Sequence, residues 1–476
     1  MPFFRPRRIV AAFLAGLFVC VFAQADTGAA RPHPRGRFYA KPKPLPAGAV
    51  TSDWPRFLGP THDGISPETK LLAPWPVDGP NLVWEVKKGS GFASPVVAGG
   101  RVILFHRLGD EEVVECLDGE TGRLFWKYAY PSTYVDRYGF SNGPRATPVI
   151  DGRLVYTHGV QGKLHAFDLQ SGKMVWQRDI ATEYKVPQNF FGDGSSPLIE
   201  GNLLIVNVGA PGGPCVVALN KKNGKPVWQV GDQWGASYAS PIPITISGKR
   251  RVLVFAGGES DPPTGGLLSI DPIAGRIDAR FPFRGKNPIS VNAVSPVLVE
   301  GKVFLTTSYK TGCTLVDVAI GAAKAVWHSD TLESHFSTPV YVDGFLYGFH
   351  GSGRDNTKLV CMDAKTGKRK WRVMPEFLQE SEVNGKRVVV TLTPGRGSLI
   401  HADGGFFCLG EGGHLLRMEL APAKYRIVNK VRLFAAEETW CPPVLSRGLL
   451  YVMQNAPDKS AGTPPRLLCY DLRGEE

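Results

Sequence analysis

The stretch 161–176, QGKLHAFDLQSGKMVW, constrains this chain more than any other, because it recurs. It reads as a strand through Leu164, Ala166 and Phe167, a tight turn at Asp168, and a second strand ending at Trp176. Asp168 can bond its own backbone around the turn, and Gly172 supplies a positive-φ position without steric cost. Trp176 carries a large apolar area onto the outgoing strand. One hairpin cannot bury its own faces, so the fold depends on how many copies there are.

Copies follow one another at blade-like intervals of roughly 45–60 residues. Each starts at a small residue plus Pro: Ser94-Pro95, Thr147-Pro148, Ser196-Pro197, Ser240-Pro241, Ser295-Pro296 and Thr338-Pro339. A degenerate seventh starts at Ser398 and an eighth at Pro442-Pro443. Pro is tolerated at the first residue of a strand, so each step marks a strand start. Four short strands per copy make one antiparallel blade. The eighth copy ends after its turn, whereas Asn81 to Val86 look like an orphan fourth strand with its own Trp84. The fold predicted is therefore all-β: an eight-bladed propeller of four-stranded antiparallel blades over 81–476, its ring closed by the N-terminal strand. Seven blades is the alternative count.

The segment before it divides in three. Residues 1–25 have a basic start (Arg5, Arg7, Arg8), an apolar run and Ala23-Gln24-Ala25, the pattern of a cleaved export signal. That predicts a periplasmic or extracellular protein with no membrane span after cleavage near Ala25; lipidation at Cys20 is the alternative. Residues 26–50 form a Pro-rich basic linker, read as a solvated spacer, and 51–80 a lead-in. Of the net charge of +12, the first 25 residues carry three and the next 25 four, which leaves +5 for the other 426. So mild an excess does not argue for a nucleic-acid partner.

Seven cysteines follow the signal. An odd count without close pairs argues against a disulfide framework. Cys116, Cys361 and Cys469 precede the turn of their repeats where Ala166, Ala218 and Ser269 stand in others, a position that wants a small buried side chain.

The pattern A-x-D-x-x-x-G-x-x-x-W, clearest at Ala166, Asp168, Gly172 and Trp176, resembles the tryptophan-docking repeat of the PQQ-like, or quinoprotein-like, β-propeller family. That family includes dehydrogenases dependent on pyrroloquinoline quinone (PQQ), the propeller lipoprotein of the outer-membrane barrel-assembly machinery, and many secreted bacterial proteins. Trp54 to Ser66 (WPRFLGPTHDGIS) looks like the lead-in of the last group. The resemblance implies that Trp84, Trp126, Trp176, Trp228, Trp327 and Trp371 pack between blades. For a dehydrogenase it implies adjacent cysteines, a calcium site and an Asp base; the sequence has no Cys-Cys pair and no motif that transfers the calcium ligands or the base.

If the copies are structural, function lies where they differ, in the loops before each small-Pro step. Those loops supply Phe92, Arg145, Asp193, Tyr238, Asn292, His335, Phe336, Arg396 and Trp440 as a candidate channel-mouth ring. His158 and His165 read as exposed turn residues without further metal ligands, and Glu259 with Asp261 as a solvated acidic loop. No GxSxG, HExxH or P-loop occurs. The leading expectation is a non-catalytic module that binds a protein or an envelope component and needs no cofactor or metal. The alternatives are a PQQ- or calcium-dependent oxidoreductase, and a carbohydrate-binding propeller using Trp440, Tyr238 and Phe336. Oligomeric state is not legible.

Overall fold

A computed structural model describes residues 29–383 and 386–475; the segment read as an export signal lies outside them. Eight antiparallel sheets form the ring. Seven are four-stranded, at 96–131, 149–179, 198–230, 242–282, 297–329, 340–373 and 398–432. The eighth joins Val444–Ser446, Leu449–Gln454 and Arg466–Asp471 to Asn81–Lys87, the N-terminal strand that completes it. Eight blades with strand-exchange closure is thus the observed architecture.

The repeat's residues explain the blade. In blade 2, Asp168 Oδ1 accepts from Ser171 N at 2.9 Å and from its hydroxyl at 2.8 Å, and Gly172 turns at φ +69. The outer strand then bulges just before its tryptophan, between Met174 and Trp176. Trp176 faces Ala166, Trp126 faces Cys116, Trp371 faces Cys361 and Trp84 faces Cys469. The position two before the turn Asp is small because it lies under an indole. All seven described cysteines are free and buried, as small core side chains.

Each indole also reaches the next blade. Nε1 of Trp84, Trp126, Trp176 and Trp228 donates at 2.9 Å to the carbonyls of Gly119, Leu169, Lys221 and Pro272. Trp371 does the same to Ala421 at 2.8 Å. Trp327 is the exception: it faces the larger Leu315, and its buried Nε1 has no partner. Blade 4 carries Ala279 and blade 7 Asn429 in the tryptophan's place.

Two segments differ from expectation. The 26–50 stretch is no free spacer from residue 29 onward. Gly36–Phe38 adds a fifth strand to the closing blade, and Arg31 bridges to Leu124. Arg35 donates to both oxygens of buried Glu115 at 2.8 Å, with His33 and His106 beside it at 3.4 and 3.2 Å. A solvated reading failed because Glu115, the anchor, lies far away in sequence. Between blades 6 and 7 an unforeseen hairpin, Phe377–Val383 with Lys386–Leu392, forms a two-stranded sheet of its own, anchored by Phe377 in the core between those blades.

Trp126→Phe removes the indole N–H from a carbonyl that stays buried and should cost about 1–2 kcal/mol. Trp327→Phe removes an N–H that is already unpartnered and should cost clearly less. Guanidinium midpoints of the two variants check the order.

Candidate functional site

The innermost strand of each blade runs from its small-Pro step to a turn, so the preceding loops converge on one end of the channel. The lead-in occupies the other. Trp54 exchanges backbone hydrogen bonds with Val97, Pro55 O accepts from Ile150, and Ile65 pairs in parallel with His401. Glu68, 1% exposed, fixes it to blade 8 by accepting from the backbones of Arg447 and Gly448 at 2.6 and 2.8 Å. Phe57 and Leu58 thereby floor a recess of about 420 Å³, walled by the mouth loops. The far end is closed, while a recess remains at the mouth.

Of the nine mouth residues read from the sequence, seven line this recess: Phe92, Arg145, Tyr238, His335, Phe336, Arg396 and Trp440. Asp193 and Asn292 do not. Asn292 is fully buried and donates to Ala256 O at 2.8 Å and Phe283 O at 3.1 Å, which makes it a brace beneath blade 4. Asp193 faces inward between blades, 3.8 Å from His158. His158 and His165 are themselves 2% and 3% exposed on adjacent strands, not exposed turn residues. His165 stacks on Phe167 with ring centroids 5.6 Å apart and packs against a tilted Tyr130 at 4.3 Å. Their alternation with apolar neighbours marked an inward face, and ring stacking lets a neutral imidazole sit there. Glu259, read as loop-solvated, pairs with Arg137 at 2.5 Å.

Trp440 is the hub of the wall. Its ring centroid lies 5.1 Å from Phe92, 5.4 Å from Phe336 and 5.7 Å from Phe140, with the Arg396 guanidinium 4.8 Å away. Arg145 stacks on Phe92 and Phe191 at 5.2 and 5.5 Å. Neither arginine is free. Arg145 pairs with Asp136 at 2.5 Å and donates to Phe191 O at 2.8 Å. Arg396 grips Glu411, which also accepts from Trp440 Nε1 at 2.9 Å. Those two acids, with Tyr138, Phe140, Phe190 and Phe191, are what sequence reasoning missed. The aromatic-rich runs YGF and NFFG upstream of two small-Pro steps were the available signal; the acids gave none.

Below the wall runs a belt of hydroxyls that explains why the pre-Pro residue is Ser or Thr. The N–H of Ser94 donates to Thr147 Oγ1, that of Thr147 to Ser196 Oγ, and so on through Ser240, Ser295 and Thr338, at 2.9–3.3 Å. The next hydroxyl, Ser398, is buried without a hydrogen-bond partner, while that of the first, Ser94, is buried against the Cys441 thiol. Blade 8 offers Pro442 at this point, which has no N–H to give Ser94.

Titratable groups in the wall are poorly poised for acid–base work. Burial pushes His335 down to about 4, so it is neutral, with Tyr309 Oη 3.1 Å from its Nε2. Burial also raises the Cys441 thiol. The donor set does not fit PQQ with calcium. A multiply charged carboxylate cofactor needs free guanidinium forks, and both forks here already hold carboxylates of the chain. Asn292 and Asp193 lie outside the recess, and among the described residues no group of three or more His, Cys, Asp and Glu could hold a metal ion.

Asp193 yields a pH prediction. Burial, then Glu112 and Asp179, hold its carboxyl up to about 7, against about 3.9 in an unfolded chain. His158 is held down to about 4 by burial, so between those values both are uncharged. A raised carboxyl contributes stability below pH 4 that is lost as pH rises through 7. Asp193→Asn escapes that loss, and its melting temperature should gain on the wild type more at pH 8 than at pH 4. An equal difference at both values counts against this environment.

Comparison with known proteins follows the same lines. Residues 77–187 and 110–373 match the family described as outer membrane protein assembly factor BamB. BamB of Yersinia pestis is 24% identical over 287 residues, 58% of this chain and 69% of that protein. Quinohemoprotein alcohol dehydrogenase ADH-IIG of Pseudomonas putida is 30% identical over 144 residues, 29% of this chain but 19% of its own length. Among solved structures, a europium-containing methanol dehydrogenase superposes with TM-score 0.63 at 11% identity, over 88% of this chain and 98% of that one, a likeness of fold alone. With the repeat, the interblade indoles and a family match over more than half its length, the chain belongs to the PQQ-like β-propeller family.

Proposed function

We propose that the chain is an exported, non-catalytic propeller that binds a protein or another cell-envelope component through its mouth face. The observation that carries this reading is the internal pairing of Arg145 with Asp136 and of Arg396 with Glu411, which leaves an aromatic surface at the mouth and both guanidinium groups already paired. Around it Val135, Tyr138, Phe140 and Ile289 are 66, 54, 43 and 61% exposed. Aromatic rings held over a rigid scaffold are the anchors that protein interfaces favour. The similarity to BamB, named as an assembly factor of the outer membrane, supports an envelope setting. So does the signal-like start of the sequence, and no helix among the described residues is long and apolar enough to cross a membrane.

The similarity to quinone alcohol dehydrogenases is the observation that favours a second reading, a PQQ-dependent oxidoreductase. The filled arginine forks weigh against it.

A photo-crosslinking residue at position 140 should capture one defined envelope protein, while the same residue at Ile273, 93% exposed on an outer turn of blade 4, should not. Equal capture from both positions sinks the mouth as the contact face. Reduction of a dye on adding PQQ, calcium and an alcohol sinks the non-catalytic reading.

A further inference from the structure

We propose that the recess inside the mouth is itself a binding site for a small, uncharged, planar aromatic molecule bearing a hydroxyl or carbonyl group. This goes beyond partner binding at the rim and does not depend on it.

Shape is the first argument. The recess holds about 420 Å³ and is floored by Phe57 and Leu58, so it suits a discrete molecule rather than a chain passing through. Its walls are built from planar groups: the Trp440, Phe92 and Phe336 rings with the Arg396 plane on one side, Phe191 with Arg145 on another. Rings and guanidinium planes receive a flat π-system by offset or edge-to-face stacking.

Charge is the second. Asp136 and Glu411, 5% and 2% exposed, already neutralise the two arginines. An anion would have to displace a buried carboxylate, and a cation would meet two guanidinium groups. Both lose desolvation energy without a new partner. A neutral ligand disturbs neither pair.

The third is an unanswered hydroxyl. Ser398 lines the recess, is 5% exposed, and has no hydrogen-bond partner at Oγ. It borders the gap in the hydroxyl belt left by Pro442, which is also the side that carries Trp440 and Phe92. A buried polar atom without a partner is costly, and a ligand oxygen placed there removes that cost. Stacking selects a flat body, and the hydroxyl selects a polar edge.

The test is calorimetric titration of the purified exported chain with naphthol, naphthalene and naphthoate. Naphthol should bind saturably at a single site, and naphthoate about tenfold more weakly or less. In Ser398→Ala, naphthol should fall to the affinity of naphthalene. Trp440→Ala should lower naphthol affinity by about tenfold. Because Trp440 also holds Glu411, Phe140→Ala at the exposed rim provides an independent variant, expected to weaken binding several-fold with an unchanged melting temperature. Absence of saturable naphthol binding, equal affinity for naphthoate, or unchanged affinity in Phe140→Ala overturns the proposal. Capture of a partner at position 140 reports on the rim reading separately, so either can fail alone.

Discussion

The structure depends on a clasp between neighbouring blades. A tryptophan on one outer strand lays its ring over the turn glycine of the next and donates its N–H to that turn. The two residue types are interlocked: a Cβ on Gly172 would lie 2.5 Å from Cδ2 of Trp126, and one on Gly275 would lie 2.4 Å from Cγ of Trp228. Glycine is also needed there for its positive φ, so a single atom's absence serves both the turn and the contact. Ring closure uses the same device. Trp84 pairs within blade 8 but clasps Gly119 and Gly122 of blade 1, so the N-terminal strand joins the first and last blades at once. The mouth loops can be irregular because the frame beneath them is so regular.

Where the clasp weakens, other contacts take over. Blade 4 has no tryptophan, yet its loop is braced by Asn292 and by Arg284, which donates to Gly258 O at 2.7 Å. Blade 7 has Lys424 at the place of the turn glycine, yet its Ala421 carbonyl still accepts the Trp371 N–H. The hydroxyl belt adds a second, inner circuit from blade 1 to blade 6. Its break falls at blades 7, 8 and 1, where the lead-in, through Glu68 and Trp54, supplies bonds from below. The seam of the ring is thus also where the chain has freedom to leave polar groups uncommitted.

Much of the fold was legible because the information is local. Asp168, Gly172 and Trp176 lie within one hairpin, and their repetition yields blade number, strand order and closure. The mouth was legible in position only. The loops could be named from their place before each small-Pro step, and Trp440, Phe336 and Arg396 do converge. What those side chains do was not legible, because Asp136 and Glu411 sit in loops without a repeat signature and meet their arginines only in three dimensions. The same limit hid the docking of Arg35 on Glu115 and the burial of His158 beside Asp193. Pre-Pro Ser and Thr were read as merely small; their hydroxyls matter because the acceptor of each N–H belongs to the next copy, some 50 residues away.

One loop shows how a shared propeller frame can serve different chemistries. Residues 132–148 contribute Asp136, Tyr138, Phe140 and Arg145, so a single connection supplies an arginine, the acid that neutralises it and two rings of the wall. Tyr134 Oη and the backbone N–H groups of Tyr138 and Phe140 also bond to Asp136, at 3.1, 2.9 and 3.1 Å, which holds the carboxylate in place whatever the recess contains. The charge state of the mouth is therefore a property of the loop and not of the ring. A frame that left Arg145 and Arg396 unpaired would attract anions into its channel. This one presents the same guanidinium groups as flat, already satisfied surfaces, and electrostatics then selects against charge while stacking selects for shape.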